Sequence, residues 1–201
     1  MSMTDEERRQ NWERNRLDQV IRRSGLPRGT DKTRRLDGTF IRTPGNEKAI
    51  AAVEDFLGGN VDPPLLLLFG TPGLGKSRLA LHIAWSYIED GSGLVLYYQA
   101  EDLLNTLQAN QTDGPAYGRL WRGLKEADLV VLDDVGANNA TPWRESQLDA
   151  ILDFRYREAL ATVITANKLD IPERMLDRLK EGRTAMLKGD SWRGKAADHG
   201  K

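Results

Sequence analysis

The sequence contains no cysteine, which excludes disulfides and thiolate metal ligands. Its two histidines, His82 and His199, stand far apart and leave little material for a structural zinc site. No apolar run approaches the roughly 20 residues needed to cross a bilayer. The opening segment, Met1 to Gln10, is polar and charged, unlike a secretory signal. A cytoplasmic location is therefore the default expectation, with no membrane partner. Net charge is also small, at −1, so bulk electrostatics do not announce a nucleic-acid binder.

The 201 residues suit one domain with a short appendage, and a 39% hydrophobic content is enough to bury a core. Charge is unevenly spread: Arg8, Arg9, Arg14, Arg16, Arg22, Arg23, Arg28, Lys32, Arg34 and Arg35 crowd the start. That cluster reads equally as a solvated arm, with Asp5, Glu6, Glu7 and Glu13 as counter-charges, or as a surface for a partner or phosphate backbone. Thr4 to Arg23 has helix-forming composition with Thr4 as N-cap. Ser24 to Asn46 reads as linker or irregular structure. Glu47 to Leu57 is a short helix with Ala49, Ile50, Val53, Phe56 and Leu57 inward.

From Leu65 onward, apolar strands alternate with helices. Strands are expected over Leu65–Phe69, Leu94–Tyr98, Leu129–Leu132 and Thr162–Thr165. Helices are expected over Lys76–Ile88, Glu101–Gln108 and Trp143–Leu160. Strands that are apolar throughout imply a parallel sheet covered on both faces, and right-handed crossovers give a three-layer α/β/α sandwich.

Gly70-Thr71-Pro72-Gly73-Leu74-Gly75-Lys76-Ser77 satisfies the phosphate-loop pattern G-x-x-x-x-G-K-[ST]. It follows an apolar strand and opens a helix, where backbone N–H groups and the helix dipole can hold phosphate. ATP is expected along Gly70 to Arg78, with Lys76 on the β- and γ-phosphates and Ser77 on Mg²⁺. A second strand, Leu129-Val130-Val131-Leu132, ends in Asp133-Asp134. Asp133 is the expected metal-side carboxylate, and Asp134 is placed to polarise the attacking water. Asp134 is one methylene shorter than the Glu common at this position, which suggests hydrolysis that is slow or needs the partner subunit to complete the geometry. The strand Val163-Ile164-Thr165-Ala166 ends in Asn167, either a γ-phosphate or water ligand or a turn-forming residue.

This order of motifs resembles an AAA+ ATPase, and the details resemble the DnaC/IstB branch of helicase loaders and transposition ATPases. The matching stretches are Tyr97-Tyr98-Gln99-Ala100-Glu101-Asp102-Leu103-Leu104, Leu132-Asp133-Asp134-Val135-Gly136 and Ile151-Leu152-Asp153-Phe154-Arg155-Tyr156. Asp177-Arg178-Leu179 and Asp190-Ser191-Trp192-Arg193-Gly194-Lys195 complete the set, over roughly Leu65 to Lys195. The closing motif is Ser-Trp-Arg where the family has Ser-Tyr-Arg.

The resemblance implies a P-loop NTPase of AAA+ type with a short helical N-terminal extension and no full C-terminal lid domain. Residues 1–46 would form the basic arm and linker, 47–195 the ATPase domain and 196–201 a disordered tail. Asn167 would be sensor 1, Arg178 the arginine finger reaching a neighbouring subunit, and Arg193 the sensor 2 arginine acting within its own subunit. The implied partners are a replicative helicase, single-stranded DNA and further copies of the chain in an ATP-dependent spiral or ring. The DNA-facing region would be Glu101 to Asp128, with Tyr117, Arg119, Trp121, Arg122 and Lys125 available. The spacing of Leu120 and Leu124 favours a core position for Trp121. The short N-terminal region departs from helicase loaders and puts the partner in doubt.

Helicase loading in DNA replication, with hydrolysis stimulated by DNA or partner, is the leading expectation. The alternatives are an IstB-like transposition ATPase on duplex DNA and a nucleotide-switched adaptor with little turnover. A metabolic kinase is the weakest, since it would need a small-substrate pocket and lid.

Overall fold

A computed structural model describes residues 6, 15, 18–27, 42–91, 93–136 and 141–191. Five parallel strands form its centre: β1 (Leu65–Phe69), β2 (Val95–Gln99), β3 (Leu129–Val135), β4 (Ala161–Ala166) and β5 (Arg183–Met186). Their spatial order is β2-β3-β4-β1-β5. The first four residues of β1 and all six of β4 are buried, which explains their unbroken apolar character. Six helices flank the sheet: α1 (Glu47–Leu57), α2 (Lys76–Glu89), α3 (Ala100–Ala109), α4 (Gly114–Glu126), α5 (Pro142–Arg157) and α6 (Glu173–Glu181).

The strand alternation divides the core in two. Leu66, Leu68, Val95, Tyr97, Leu129, Val131 and Val163 face one side with the buried stripes of α1 and α2. Leu65, Leu67, Leu96, Val130, Leu132 and Ile164 face the other with residues of α3, α4, α5 and α6. This is the three-layer α/β/α sandwich expected of the sequence.

Several elements differ from their expected extents. β3 continues to Val135, past the paired aspartates, with an irregularity in its pairing to β4 between Leu132 and Val135. α5 ends at Arg157 rather than Leu160, because Ala159 turns to φ +49° and the Leu160 N–H donates to the Arg155 carbonyl at 2.8 Å. Thr141 caps its start, accepting from the Arg144 N–H at 3.3 Å, with Pro142 in the first turn. α6 and β5 have weaker sequence signatures: α6 buries only Met175 and Leu179, and β5 only Ala185.

Residues 25–27 and 42–46 are irregular, as the sequence suggests, and both ends of the segment are anchored in the fold. Ser24 and Leu26 are buried, and Leu26 joins the α1/α2 side of the core. The Ser24 hydroxyl donates to the Ile21 carbonyl at 2.8 Å and accepts from the Leu26 N–H at 3.3 Å, turning the chain inward at the end of a helical stretch over residues 18–24. Asn46 is also buried, and its Oδ1 accepts from the Thr43 N–H at 2.8 Å. Most of the arm, and the tail over 196–201, lie outside the described residues, among which no helix is long and apolar enough to cross a membrane.

Candidate functional site

The site forms at the carboxyl edge of the sheet, where β1, β3 and β4 end side by side. β1 gives way at Gly70 to a loop leading into α2. Gly70 adopts φ +144°, and a β-carbon there would run into the Leu187 carbonyl. Gly73 adopts φ +86°, and a β-carbon there would meet the Ser191 side chain. Glycine is therefore required at both by backbone and by close approach. Thr71 and Pro72 are exposed, Leu74 is buried as an anchor and Arg78 is half-buried. Gly75, at φ +93°, is the N-cap of the helix and, as glycine, brings no capping side chain of its own. An anion could take that place.

Lys76 is 5% exposed, and its Nζ donates to the Gly70 carbonyl at 2.6 Å, the Thr71 carbonyl at 3.0 Å and Asn167 Oδ1 at 2.9 Å. Asn167 is half-buried just beyond β4, and its Nδ2 donates to Asp134 Oδ1 at 2.6 Å. A continuous chain of hydrogen bonds thus runs from Lys76 through Asn167 to Asp134. It joins the three motifs on which the sequence reading rests.

The two aspartates differ sharply. Asp133 is 2% exposed; its Oδ2 accepts from the Tyr97 hydroxyl at 2.7 Å and Gln99 Nε2 at 2.8 Å. Its Oδ1 accepts from the Thr165 hydroxyl at 2.6 Å. Asp134 is exposed at φ +58°, a conformation that aspartate tolerates better than most residues. Its backbone N–H donates to Thr165 Oγ1 at 2.8 Å. Ser77 is exposed on the first turn of α2.

Tyr97, Gln99 and Thr165 had no individual role in the sequence reading. They occupy the same face as Asp133 by strict alternation: 95, 97 and 99 on β2; 129, 131 and 133 on β3; 161, 163 and 165 on β4. A polar residue ending each of three same-face apolar series was the available signal.

The arginines lie apart from this cluster or outside the described residues. Arg178, on α6, donates from Nη1 to Asp149 Oδ1 at 2.7 Å and from Nη2 to Asp153 Oδ1 at 2.6 Å, both on α5. It makes no hydrogen bond or ion pair with Lys76, Asp133, Asp134 or Asn167. Arg193 lies outside the described residues. The chain leading to it does follow the phosphate loop: the Leu187 N–H donates to the Phe69 carbonyl at 2.8 Å, and Ser191 sits against Gly73.

In the region expected to face DNA, Trp121 is half-buried and packs, with Tyr117 and Leu120, against the α3–α6 side of the core. Arg119, Arg122 and Lys125 are exposed on the same helix.

The strand order and the glycine loop opening into the Lys76 helix define a P-loop nucleotide-binding domain of AAA+ type. Comparison with known proteins carries the assignment further. The family described as IstB-like ATP binding protein matches residues 6–198, and this chain belongs to it. The replicative helicase loader DnaC of Buchnera aphidicola (subsp. Baizongia pistaciae) is 25% identical over 191 residues, covering 90% of this chain and 77% of that protein. A Sinorhizobium fredii protein named as an insertion sequence ATP-binding protein is 30% identical over 154 residues, covering 76% and 50%. YdaV of Escherichia coli, itself uncharacterized, is 31% identical over 132 residues, covering 62% and 53%. The chain thus spans about half the length of these last two relatives.

Solved structures share the fold. The DnaC helicase loader superposes with a TM-score of 0.69 at 20% identity, covering 78% of this chain and 98% of that one. AMPPCP-bound DnaA from Aquifex aeolicus gives 0.68 at 20%, covering 80% and 51%.

Proposed function

We propose that this chain binds ATP with Mg²⁺ along Gly70 to Arg78, hydrolyses it slowly, and uses the cycle to load a replicative helicase onto single-stranded DNA. The observation that carries the hydrolytic part is the Lys76–Asn167–Asp134 chain beside a fixed Asp133. The donor set fits Mg²⁺. It offers a carboxylate at Asp133 and an exposed hydroxyl at Ser77, with no group of three or more acidic, histidine or cysteine ligands among the described residues. Mg²⁺ characteristically takes one or two protein oxygens and completes its shell with water and substrate phosphates. When bound, the metal would neutralise charge on the β- and γ-phosphates.

The protein's own residues do the rest. Lys76 exchanges the Gly70 and Thr71 carbonyls for phosphate oxygens. Asn167, no longer held by Lys76, turns its amide to the γ-phosphate or the attacking water. Asp134 accepts a hydrogen bond from that water and takes its proton as the new oxygen–phosphorus bond forms and ADP leaves. Arg178 of one subunit and Arg193 complete the charge balance in an oligomer, as the family resemblance implies.

Helicase loading is favoured over transposition by extent of similarity. Two Buchnera DnaC proteins align over 90% and 89% of this chain and over 77% and 76% of their own lengths. The insertion sequence relative aligns over only half of its own. That relative and the family description keep a duplex-binding transposition ATPase as the second reading.

The test is ATP hydrolysis with single-stranded or duplex DNA, with oligomer mass followed by light scattering and Lys76→Ala as the control. Stimulation by single strands with ATP-dependent growth in mass is expected. Stimulation on duplex would favour the transposition reading, and binding without turnover under any DNA condition would favour a nucleotide-switched adaptor. Retained ATP affinity in Lys76→Ala would remove the P-loop as the site.

A further inference from the structure

We propose that Thr165 is a positioning residue for hydrolysis, one hydroxyl that sets the placement of both acidic groups. The inference rests on the ATPase reading above and explains polar residues which that reading leaves without a role.

The Thr165 hydroxyl is 1% exposed by residue and lies between the two aspartates. It donates to Asp133 Oδ1 at 2.6 Å and accepts from the Asp134 backbone N–H at 2.8 Å. A hydroxyl has one proton and two lone pairs, so both bonds are made at once. The first fixes one oxygen of the buried carboxylate. The second holds the Asp134 backbone at φ +58°, within the irregularity that interrupts the β3–β4 pairing between Leu132 and Val135. The other oxygen of Asp133 is fixed by Tyr97 and Gln99 from the opposite neighbour, β2. Asp133 is thus clamped from both flanking strands by neutral donors.

This clamp orients Asp133 without a cation. A lysine or arginine in place of any of the three donors would compete with the metal for the carboxylate. Neutral donors leave its charge for the cation while allowing only one orientation. The link to Asp134 makes the device specific: displacing Thr165 misplaces the metal-side acid and the water-side acid together. The same strand ends two residues later in Asn167, so one strand end carries the references for all three groups. Supporting groups of this kind are what hold a reacting constellation to its productive geometry.

The experiment measures affinity for a fluorescent ATP analogue in Mg²⁺ and in EDTA, alongside kcat and KM, in full-length wild type, Thr165→Val and Thr165→Ser. Valine keeps the shape and removes both hydrogen bonds; serine restores them. Thr165→Val is expected to bind in EDTA within about twofold of wild type, to lose most of the tightening by Mg²⁺, and to lower kcat by about tenfold or more at little-changed KM. Thr165→Ser is expected to recover both. A serine variant that is folded yet as impaired as valine would overturn the proposal, as would valine with wild-type Mg²⁺ dependence and kcat. Should Thr165→Val fail to fold, Gln99→Met removes one donor at an exposed position; an unchanged Mg²⁺ dependence there would overturn the clamp. Failure of the wild type itself to bind or hydrolyse ATP would instead overturn the ATPase reading.

Discussion

Asp133 and Arg155 are both enclosed, at opposite edges of the same sheet, and both are satisfied by neutral partners. Asp133, at the carboxyl edge, accepts from two hydroxyls and an amide. Arg155, at the amino edge, is 0% exposed and donates to the carbonyls of Leu124, Ala127 and Ala161 and to the Thr162 hydroxyl, at 2.6 to 3.0 Å. Neither is hydrogen-bonded to an opposite charge among the described residues. The carbonyls around Arg155 include Leu124 at the end of α4 and Ala127 just beyond, where the helix dipole favours a cation. Burial pushes its guanidinium down to about 10, with Asp128 and then Tyr87 opposing the fall, so it stays protonated at neutral pH.

What separates the two is their neighbourhood. Next to Asp133 along β3 stands Asp134, exposed and hydrogen-bonded to Asn167, a group that can take a ligand. Around Arg155 stand backbone carbonyls already in use, holding the end of α4 to the starts of β3 and β4. A buried charge is therefore not by itself a sign of catalysis; the open groups beside it decide.

The largest effect expected from breaking this comparison is at Arg155. Arg155→Met leaves three buried carbonyls without donors and should lower the unfolding free energy by about 3–5 kcal/mol. Urea denaturation measures it, and a loss below about 1 kcal/mol would mean water replaces the guanidinium. Asp133→Asn should do the converse. An amide can keep some contacts by turning its oxygen to Tyr97 and Gln99, so stability should change by about 1–2 kcal/mol. Hydrolysis should nevertheless fall about a hundredfold or more, because the carboxylate proposed to face Mg²⁺ is gone. Equal loss of stability in the two variants would erase the distinction.

Much of this was legible before the structure, for a physical reason. Apolar strands announce a sheet covered on both faces, and a glycine loop between strand and helix announces phosphate. Both are local patterns. The clamp on Asp133 was not legible because it depends on which strands lie side by side: β2, β3 and β4 are separated by helices, and their adjacency appears only in the folded order. Arg155 lies within a family motif, but nothing local reveals that it binds carbonyls from α4 and β4. α6 and β5 were missed because each buries too little to stand out, although Ile171-Pro172-Glu173 does carry a helix-start signal.

Arg178 gives an intermediate case. Its side chain is 16% exposed, and the guanidinium bridges Asp149 and Asp153, which are four residues apart on α5 and would otherwise repel. The pairs are largely enclosed, so removing the arginine should cost roughly 1–3 kcal/mol, less than at Arg155. The proposed role toward a neighbouring subunit would require giving up these two pairs, a smaller loss than displacing Arg155. Arg178→Ala should leave ATP binding nearly intact and lower DNA-stimulated hydrolysis by about tenfold or more. Mixing Arg178→Ala with Asp134→Asn chains should restore some activity, since some interfaces would then be intact. No recovery at any ratio would count against a shared site.

The smallest effect is expected at Trp121. Its Nε1 is buried without a hydrogen-bond partner, the reverse of the satisfied groups at Asp133 and Arg155. The ring packs near Tyr117, with centroids 6.4 Å apart, and Lys125 Nζ lies 5.8 Å from its centroid. Trp121→Phe keeps an aromatic ring in this setting and removes only an unpaired donor. Stability should change by less than about 1 kcal/mol, because the lost indole packing is offset by relief of a desolvated N–H. Single-stranded DNA affinity should be unchanged as well if the ring is a packing element, while Arg119→Ala and Arg122→Ala on the exposed side of the same helix weaken it. A Phe variant that is stable but binds single strands several-fold more weakly would place the indole in contact with bases. The half-buried side of α4 would then belong to the functional surface and not to the core.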